Sequence, residues 1–263
     1  ARFEGGPGTN PEELLGAALG NRRKEAVTAP KFGAPQDPLP GDARGARAYV
    51  LEAAEASLRR LKTDWIDLYQ LHYPDPATPI DETLRALQDL LAAGKVRAIG
   101  CSNLSAEEID AAQAAAERAG ISGFVSTQNE YSVLVRGIEQ TLAPTIARHG
   151  LALLPYFPLA NGVLTGKYKS GQPMPEGSRL ADAPPFFDPY RDPAKWEAAA
   201  RLEAFATARG HSLLELAFSW LAAQPGVASV IAGASRASQV ETNARAAGWA
   251  LTAEEIAEIE RLA

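Results

Sequence analysis

Along this 263-residue chain, short apolar runs alternate with longer stretches of helical spacing. The runs at 26–31, 66–72, 96–101, 123–128, 151–155 and 228–232 have the length and content of buried strands. Pro30 weakens the first as a fully hydrogen-bonded central strand. Asn10 is placed to cap a helix that Pro11 opens. Glu12 and Glu13 sit at its positive end, and Gly20 stops it after about Leu19. Further helices are expected over 46–61, 80–93, 137–149, 193–209, 212–224, 237–247 and 252–262. Another follows Ser105, whose spacing to Glu108 is a capping-box pattern. A stretch rich in glycine and proline, 160–192, interrupts the rhythm.

Strand followed by helix, repeated, predicts a parallel α/β protein, either an open doubly wound sheet or a (β/α)8 barrel. No G-x-G-x-x-G turn links a strand to a helix, which favours the barrel, as does a repeat of ~30 residues. Six strands do not close a barrel of eight. The expectation is therefore one barrel domain over 1–263 with its first two βα units, roughly 60 residues, missing ahead of Ala1. There the chain opens in what reads as mid-loop, Ala-Arg-Phe-Glu.

Composition narrows the classes. Hydrophobic residues at 46% and charged ones at 22% fit a globular protein with a sizeable core. A net charge of −6 argues against non-specific nucleic-acid binding. No run approaches the ~20 apolar residues of a membrane span, and no secretory leader is expected. The one cysteine, Cys101, fits a reducing compartment, so the expected location is cytoplasmic. Oligomeric state is left open, although strand edges ending at Lys31 and Gly233 carry a risk of association.

The polar residues at the strand ends are Lys31, His72, Ser102 with Asn103, Gln128, Tyr156, and Ser235 with Arg236. Each alone has an ordinary reading: a snorkelling lysine, a hydrogen-bonded core histidine, a turn before the Ser105 cap, a tyrosine at the rim. In a parallel barrel they converge on one face. There they are equipped to polarise a carbonyl, hold an amide-bearing ring and stack on it.

The ordered blocks P-E-E-L-L-G-A-A-L, P-K-F-G, W-I-D-L-Y-Q-L-H-Y-P-D-P, G-K-V-R-A-I-G-C-S-N-L-S, Q-N-E-Y-S-V-L-V-R, P-Y-F-P-L-A-N-G-V-L-T-G-K-Y and V-I-A-G-A-S-R-A-S-Q-V-E-T-N resemble the aldo-keto reductase superfamily. The match is strongest with bacterial members related to potassium-channel β subunits. The resemblance implies a (β/α)8 TIM barrel that binds NADP(H) across the strand tips and transfers hydride to a small-molecule aldehyde or ketone. It implies Lys31 and His72 as catalytic residues. Ser102, Asn103 and Gln128 would hold the nicotinamide carboxamide, and Tyr156 would stack on the ring. Pro158, Leu159, Gly162, Leu164, Gly166 and Lys167 fall in the pyrophosphate loop. Gly233, Ser235, Arg236, Gln239 and Asn243 match the surroundings of the adenosine 2′-phosphate, a role that suits the fork of a guanidinium. No metal is implied.

The family's motif D-T-A-x-x-Y-G, with its aspartate and proton-donating tyrosine, aligns with this chain from its alanine at Ala1 to its glycine at Gly5, so the aspartate is expected ahead of Ala1. Glu4 occupies the tyrosine position, or Phe3 if the alignment slips by one. Neither supplies a phenol, so this polypeptide is expected to have little or no reductase activity. Pro30, where the family usually has threonine, is a smaller departure. The alternatives are an NADP(H)-binding regulatory or scaffold protein without turnover, and an ordinary barrel whose strand-tip residues are incidental. The loops 33–45 and 160–192 would set the substrate. Within the second, Phe186 and Phe187 either line an apolar pocket or anchor the loop.

Overall fold

The computed structural model describes residues 10–35, 43–181 and 184–263. The chain divides into two compact units, Ala1–Gln128 with Thr141–Ala152, and Asn129–Gln140 with Leu153–Ala263. In the first, helices α1 (Pro11–Leu19), α2 (Arg47–Leu61), α3 (Ile80–Ala92) and α4 (Ala106–Ala119) alternate with strands β1 (Lys31–Phe32), β2 (Ile66–Leu71), β3 (Val96–Ser102) and β4 (Ser126–Gln128). All three strand pairings are parallel, in the order β1-β2-β3-β4. Strand β5 (Ala152–Leu153) joins through the Ala152 N–H, which donates to Val125 O at 2.9 Å.

Local signals place these elements. The Asn10 side chain accepts from the Glu12 N–H at 2.9 Å, and Gly20 ends α1. Ser105 and Glu108 form the expected reciprocal cap on α4. β1 is shorter than its pattern. The carbonyls of Thr28, Pro30 and Phe32 all accept from β2 or its end, at 2.8–3.2 Å, but Pro30 has no N–H to return. The helix expected over 137–149 is broken at Leu142 into α5 (Ile138–Thr141) and α6 (Ala143–His149), with Pro144 in the first turn of the second piece.

The second unit carries helices α7 (Pro193–Thr207), α8 (Leu213–Ala222), α9 (Ala237–Arg245) and α10 (Ala253–Leu262). Its core gathers Leu202, Leu216 and Trp220, with Tyr131 tilted on Trp220 at 5.2 Å. The strand expected over 228–232 is corrected by the structure: only parallel bridges form, Leu153 with Val227 and Tyr156 with Ile231. Four residues on one side advance against three on the other. That one-residue excess is a bulge, and it interrupts the ladder. The described residues thus contain five strands rather than six.

The register settles which side chains share a face. Lys31, Gln70, Gly100 and Ser126 form one row across the sheet. Phe32, Leu71, Cys101 and Thr127 form the next, and then come His72, Ser102 and Gln128. Successive residues point to opposite faces, so the first and third rows share one face and are polar. The other face is largely apolar and buried, with Phe32 stacked on Tyr69 at 4.8 Å. Gly100 has a physical reason: a Cβ there would lie 2.5 Å from Ser126 Oγ and 3.2 Å from Ser126 O.

Candidate functional site

In the first unit, His72, Ser102, Asn103 and Gln128 lie at the carboxyl ends of β2–β4, and Lys31 lies two rows below on the same face, in register with Gln70. Lys31 is half-buried, and that burial lowers its ammonium pKa. His72 follows β2, its N–H donating to Phe32 O at 2.8 Å. Pro74 then forbids a longer strand. Asn103, with φ of 61°, turns back at the end of β3. Its Nδ2 donates to His72 O at 3.0 Å and to Ser102 Oγ at 3.1 Å. Ser102 Oγ donates in turn to Gln128 O at 2.8 Å, and the Asn103 N–H to the same carbonyl at 3.1 Å. One network therefore ties the tips of β2, β3 and β4. Phe3 and Glu4, the alternatives for the tyrosine position, lie outside the described residues.

Below these tips are two groups that sequence reasoning missed. Gln70 and Ser126 are 1% and 3% exposed, yet Gln70 Oε1 and Ser126 Oγ have no partner among the described residues. Leu68, Gln70 and His72 share a face by strand alternation, and that was the available signal. Asp75 was also missed. Its carboxylate accepts from the N–H groups of Gly45 and Ala77 and from Thr78 Oγ1, at 2.6–2.9 Å. It thereby fixes residues 43–46, which follow 36–42, the part of the expected substrate loop outside the described residues.

In the second unit, Tyr156 closes a parallel bridge to Glu130, and its N–H donates to Asn129 O at 3.0 Å. Residues 157–166 then form a tight loop of 3-10 turns over Ala160–Thr165. Phe157, Ala160 and Asn161 are left-handed at φ 55°, 44° and 54°. For non-glycine residues this costs roughly 1–2 kcal/mol each, and such strain concentrates at ligand sites. Gly162 has φ of 100°, and a Cβ there would sit 3.2 Å from Lys167 Nζ. Leu164 is fully buried, so its side chain packs in the core, whereas Lys167 is exposed. Pro158, Leu159 and Gly166 complete the loop. Arg179, a residue the motifs did not single out, donates to Asn161 Oδ1 at 3.3 Å with its side chain exposed.

At the start of α9, Gln239 Oε1 accepts from the Ser235 N–H, Ser235 Oγ and the Arg236 N–H at 2.8–3.2 Å. Gly233, Ser235 and Arg236 are exposed, and no carboxylate among the described residues pairs with Arg236. Asn243 lines a cleft of about 470 Å³ with Val230, Ala234 and Val240. Glu130 was missed as well. Half-buried at the bridge to Tyr156, it accepts a hydrogen bond from Tyr190 Oη. Burial holds the Glu130 carboxyl above the usual range, against the opposing pull of that bond and of Lys195. Cys101 is fully buried and its thiol is pushed up to about 12 by that burial, which excludes it as a nucleophile. Among the described residues no group of acidic, histidine or cysteine side chains is arranged to hold a metal, and no helix is long and apolar enough to cross a membrane.

The family model described as "Aldo/keto reductase family" matches residues 7–263. A probable voltage-gated potassium channel β subunit of Arabidopsis thaliana is 36% identical over 248 residues, 89% of this chain and 73% of the relative. The aldo-keto reductase YhdN of Bacillus subtilis is 36% identical over 217 residues, 82% of this chain and 63% of the relative. An L-glyceraldehyde 3-phosphate reductase of Escherichia coli O157:H7 is 31% identical over 268 residues, 98% of this chain and 76% of the relative.

Proposed function

This chain belongs to the aldo/keto reductase family, whose fold is the (β/α)8 barrel, and from that premise we propose that its site is built for NADPH-dependent reduction of an aldehyde or ketone to the alcohol, at a rate kept low in this polypeptide because Ala1–Gly5 supply no phenol. The observation that carries the proposal is the convergence of Lys31, His72, Ser102, Asn103 and Gln128 on one polar face at the ends of adjacent parallel strands. The residues present suit the cofactor. A loop held open by Gly162 offers backbone close to Lys167, and Arg236 is exposed with no carboxylate partner among the described residues.

When bound, the nicotinamide supplies the hydride. The chain's own residues do the rest. His72 orients the carbonyl oxygen, and the Lys31 ammonium favours release to it of a proton from water, since Ala1–Gly5 carry no phenol. Ser102, Asn103 and Gln128 of the first unit are equipped to hold a carboxamide, and Tyr156 of the second offers an aromatic face for stacking. Loop 157–167 takes up diphosphate through backbone N–H groups and Lys167. Arg236 binds a ribose 2′-phosphate through paired bonds. The whole chain acts as one NADP(H)-dependent domain with a small carbonyl compound as substrate, in the cytoplasm.

The test is a fluorescence titration with NADPH and with NADH, repeated on Arg236→Ala. Loss of one exposed charge-assisted contact weakens NADPH by roughly tenfold or more and leaves NADH unchanged. Equal affinity of the variant and the parent for NADPH overturns the cofactor assignment. The similarity to the Arabidopsis relative named as a channel β subunit favours a second reading, NADP(H) binding without turnover in a regulatory or scaffold role. Tight NADPH binding with no reduction of an aromatic aldehyde would select it.

A further inference from the structure

Tyr190 is buried and is held by backbone, ring and hydroxyl contacts within the second unit. Its main-chain carbonyl accepts from Trp196 Nε1 of α7 at 2.8 Å. Its ring packs edge-on against Phe157 at 6.5 Å and lies tilted beside Phe187 at 6.5 Å. Phe157 is itself edge-on to Tyr156 at 4.9 Å. The hydroxyl donates to Glu130, whose backbone bridges Tyr156. A separate contact closes the far end of the same segment, where Arg191 donates twice to Leu180 O at 2.7 and 3.0 Å. Phe186, at 70% exposed, meets only Phe187, edge-on at 5.2 Å, among the ring contacts of the described residues, so the buried seat of this turn is Tyr190.

We propose that the Tyr190–Glu130 hydrogen bond is a latch that seats the 184–191 turn against the strand end carrying Tyr156, and that it sets how long NADP(H) is retained. This rests on the reading of Tyr156 as the residue that stacks on the nicotinamide. The turn is connected to Tyr156 twice, through Glu130 by backbone and side chain and through Phe157 by rings. Phe157 is held in a left-handed conformation, so the rings packed on it maintain a state that an isolated loop would leave. Opening the latch frees Phe157 and with it the position of Tyr156. Tyr190 and Glu130 are positioning residues, because neither has been placed on the cofactor itself.

The experiment compares the parent with Tyr190→Phe, Glu130→Gln and the double variant. Amide exchange in the cofactor-free protein reads the Phe187 and Arg191 N–H groups, which close the turn on Pro184 O and Asp188 O. Stopped-flow fluorescence reads NADPH association and release. Tyr190→Phe raises both the exchange and the release rate roughly tenfold, the scale of a lost bond to a carboxylate, with association within about twofold. Glu130→Gln, which still accepts the bond, falls between. The double variant is no worse than Tyr190→Phe, a non-additivity that a general loss of stability does not produce. Unchanged exchange in Tyr190→Phe, or additive effects, overturns the latch whatever NADPH does. Raised exchange with unchanged NADPH release also overturns it. If the parent fails to bind NADPH, the NADPH reading falls, and the retention role with it.

Discussion

Gln70→Leu should make this protein more stable. Gln70 is 1% exposed, in the row that holds Lys31, Gly100 and Ser126. Its Nε2 donates to Ala29 O at a long 3.3 Å, while Oε1 has no partner among the described residues. A buried orphan acceptor costs about 1–3 kcal/mol, and a long neutral hydrogen bond returns about 0.5–1.5 kcal/mol. Leucine removes both terms at similar volume, and volume-conserving apolar swaps are tolerated well. The neighbouring Gly100 has no side chain to obstruct a second methyl. The net expectation is a gain of about 1 kcal/mol, which moves a urea midpoint up by roughly 0.4 M. A loss of more than about 1 kcal/mol would refute the reasoning, since it would mean that the carbonyl is hydrogen-bonded in solution.

Three further outcomes follow from the packing. Burial would raise the Asp67 carboxyl, but hydrogen bonds from the Thr28 N–H, Arg23 and Trp65 outweigh it and hold the pKa below the ordinary value. A depressed acid stabilises the fold above its unfolded pKa of about 3.9 and loses that contribution as pH falls through the folded value. Asp67→Asn should therefore cost about 2–4 kcal/mol near neutrality, with the gap to the parent closing below about pH 4 in urea titrations. Gly16→Ala puts a methyl 2.6–2.7 Å from the carbonyls of Leu61 and Arg60, where α1 meets the end of α2. Backbone cannot yield as a side chain does, so overpacking of about 1–3 kcal/mol should exceed the ~1 kcal/mol gain in helix propensity, and a raised melting temperature would contradict this. Cys101 should resist thiol reagents in native buffer and react at once in denaturant. Labelling of the folded protein at a rate typical of exposed thiols would show that the burial is wrong.

Local chemistry was legible in the sequence wherever neighbouring residues decide the structure. The Asn10-Pro11 start, the Ser105/Glu108 cap and the strand ends at His72, Ser102 and Gln128 all rest on contacts within a few positions. The bulge at 228–231 was not legible, because a one-residue excess is defined only against Leu153–Tyr156. Nor was the polar row, which needs the register of β1 through β4 rather than the pattern of any one strand. Glu130 and Tyr190 lie 60 positions apart, and each alone reads as an ordinary polar residue. Arg179 has the same character, meeting Asn161 only through the course of the intervening chain.

The rows described above also bear on how such a protein can change. Lys31, Gln70, Gly100 and Ser126 stand on four separate strands and form a floor. An insertion after the end of one strand leaves the register of the floor untouched. A one-residue insertion within β2 would turn Gln70 and His72 to the opposite face and destroy the floor. Strand register and loop length can thus change independently, and grafting loops between relatives is the economical way to alter one without the other.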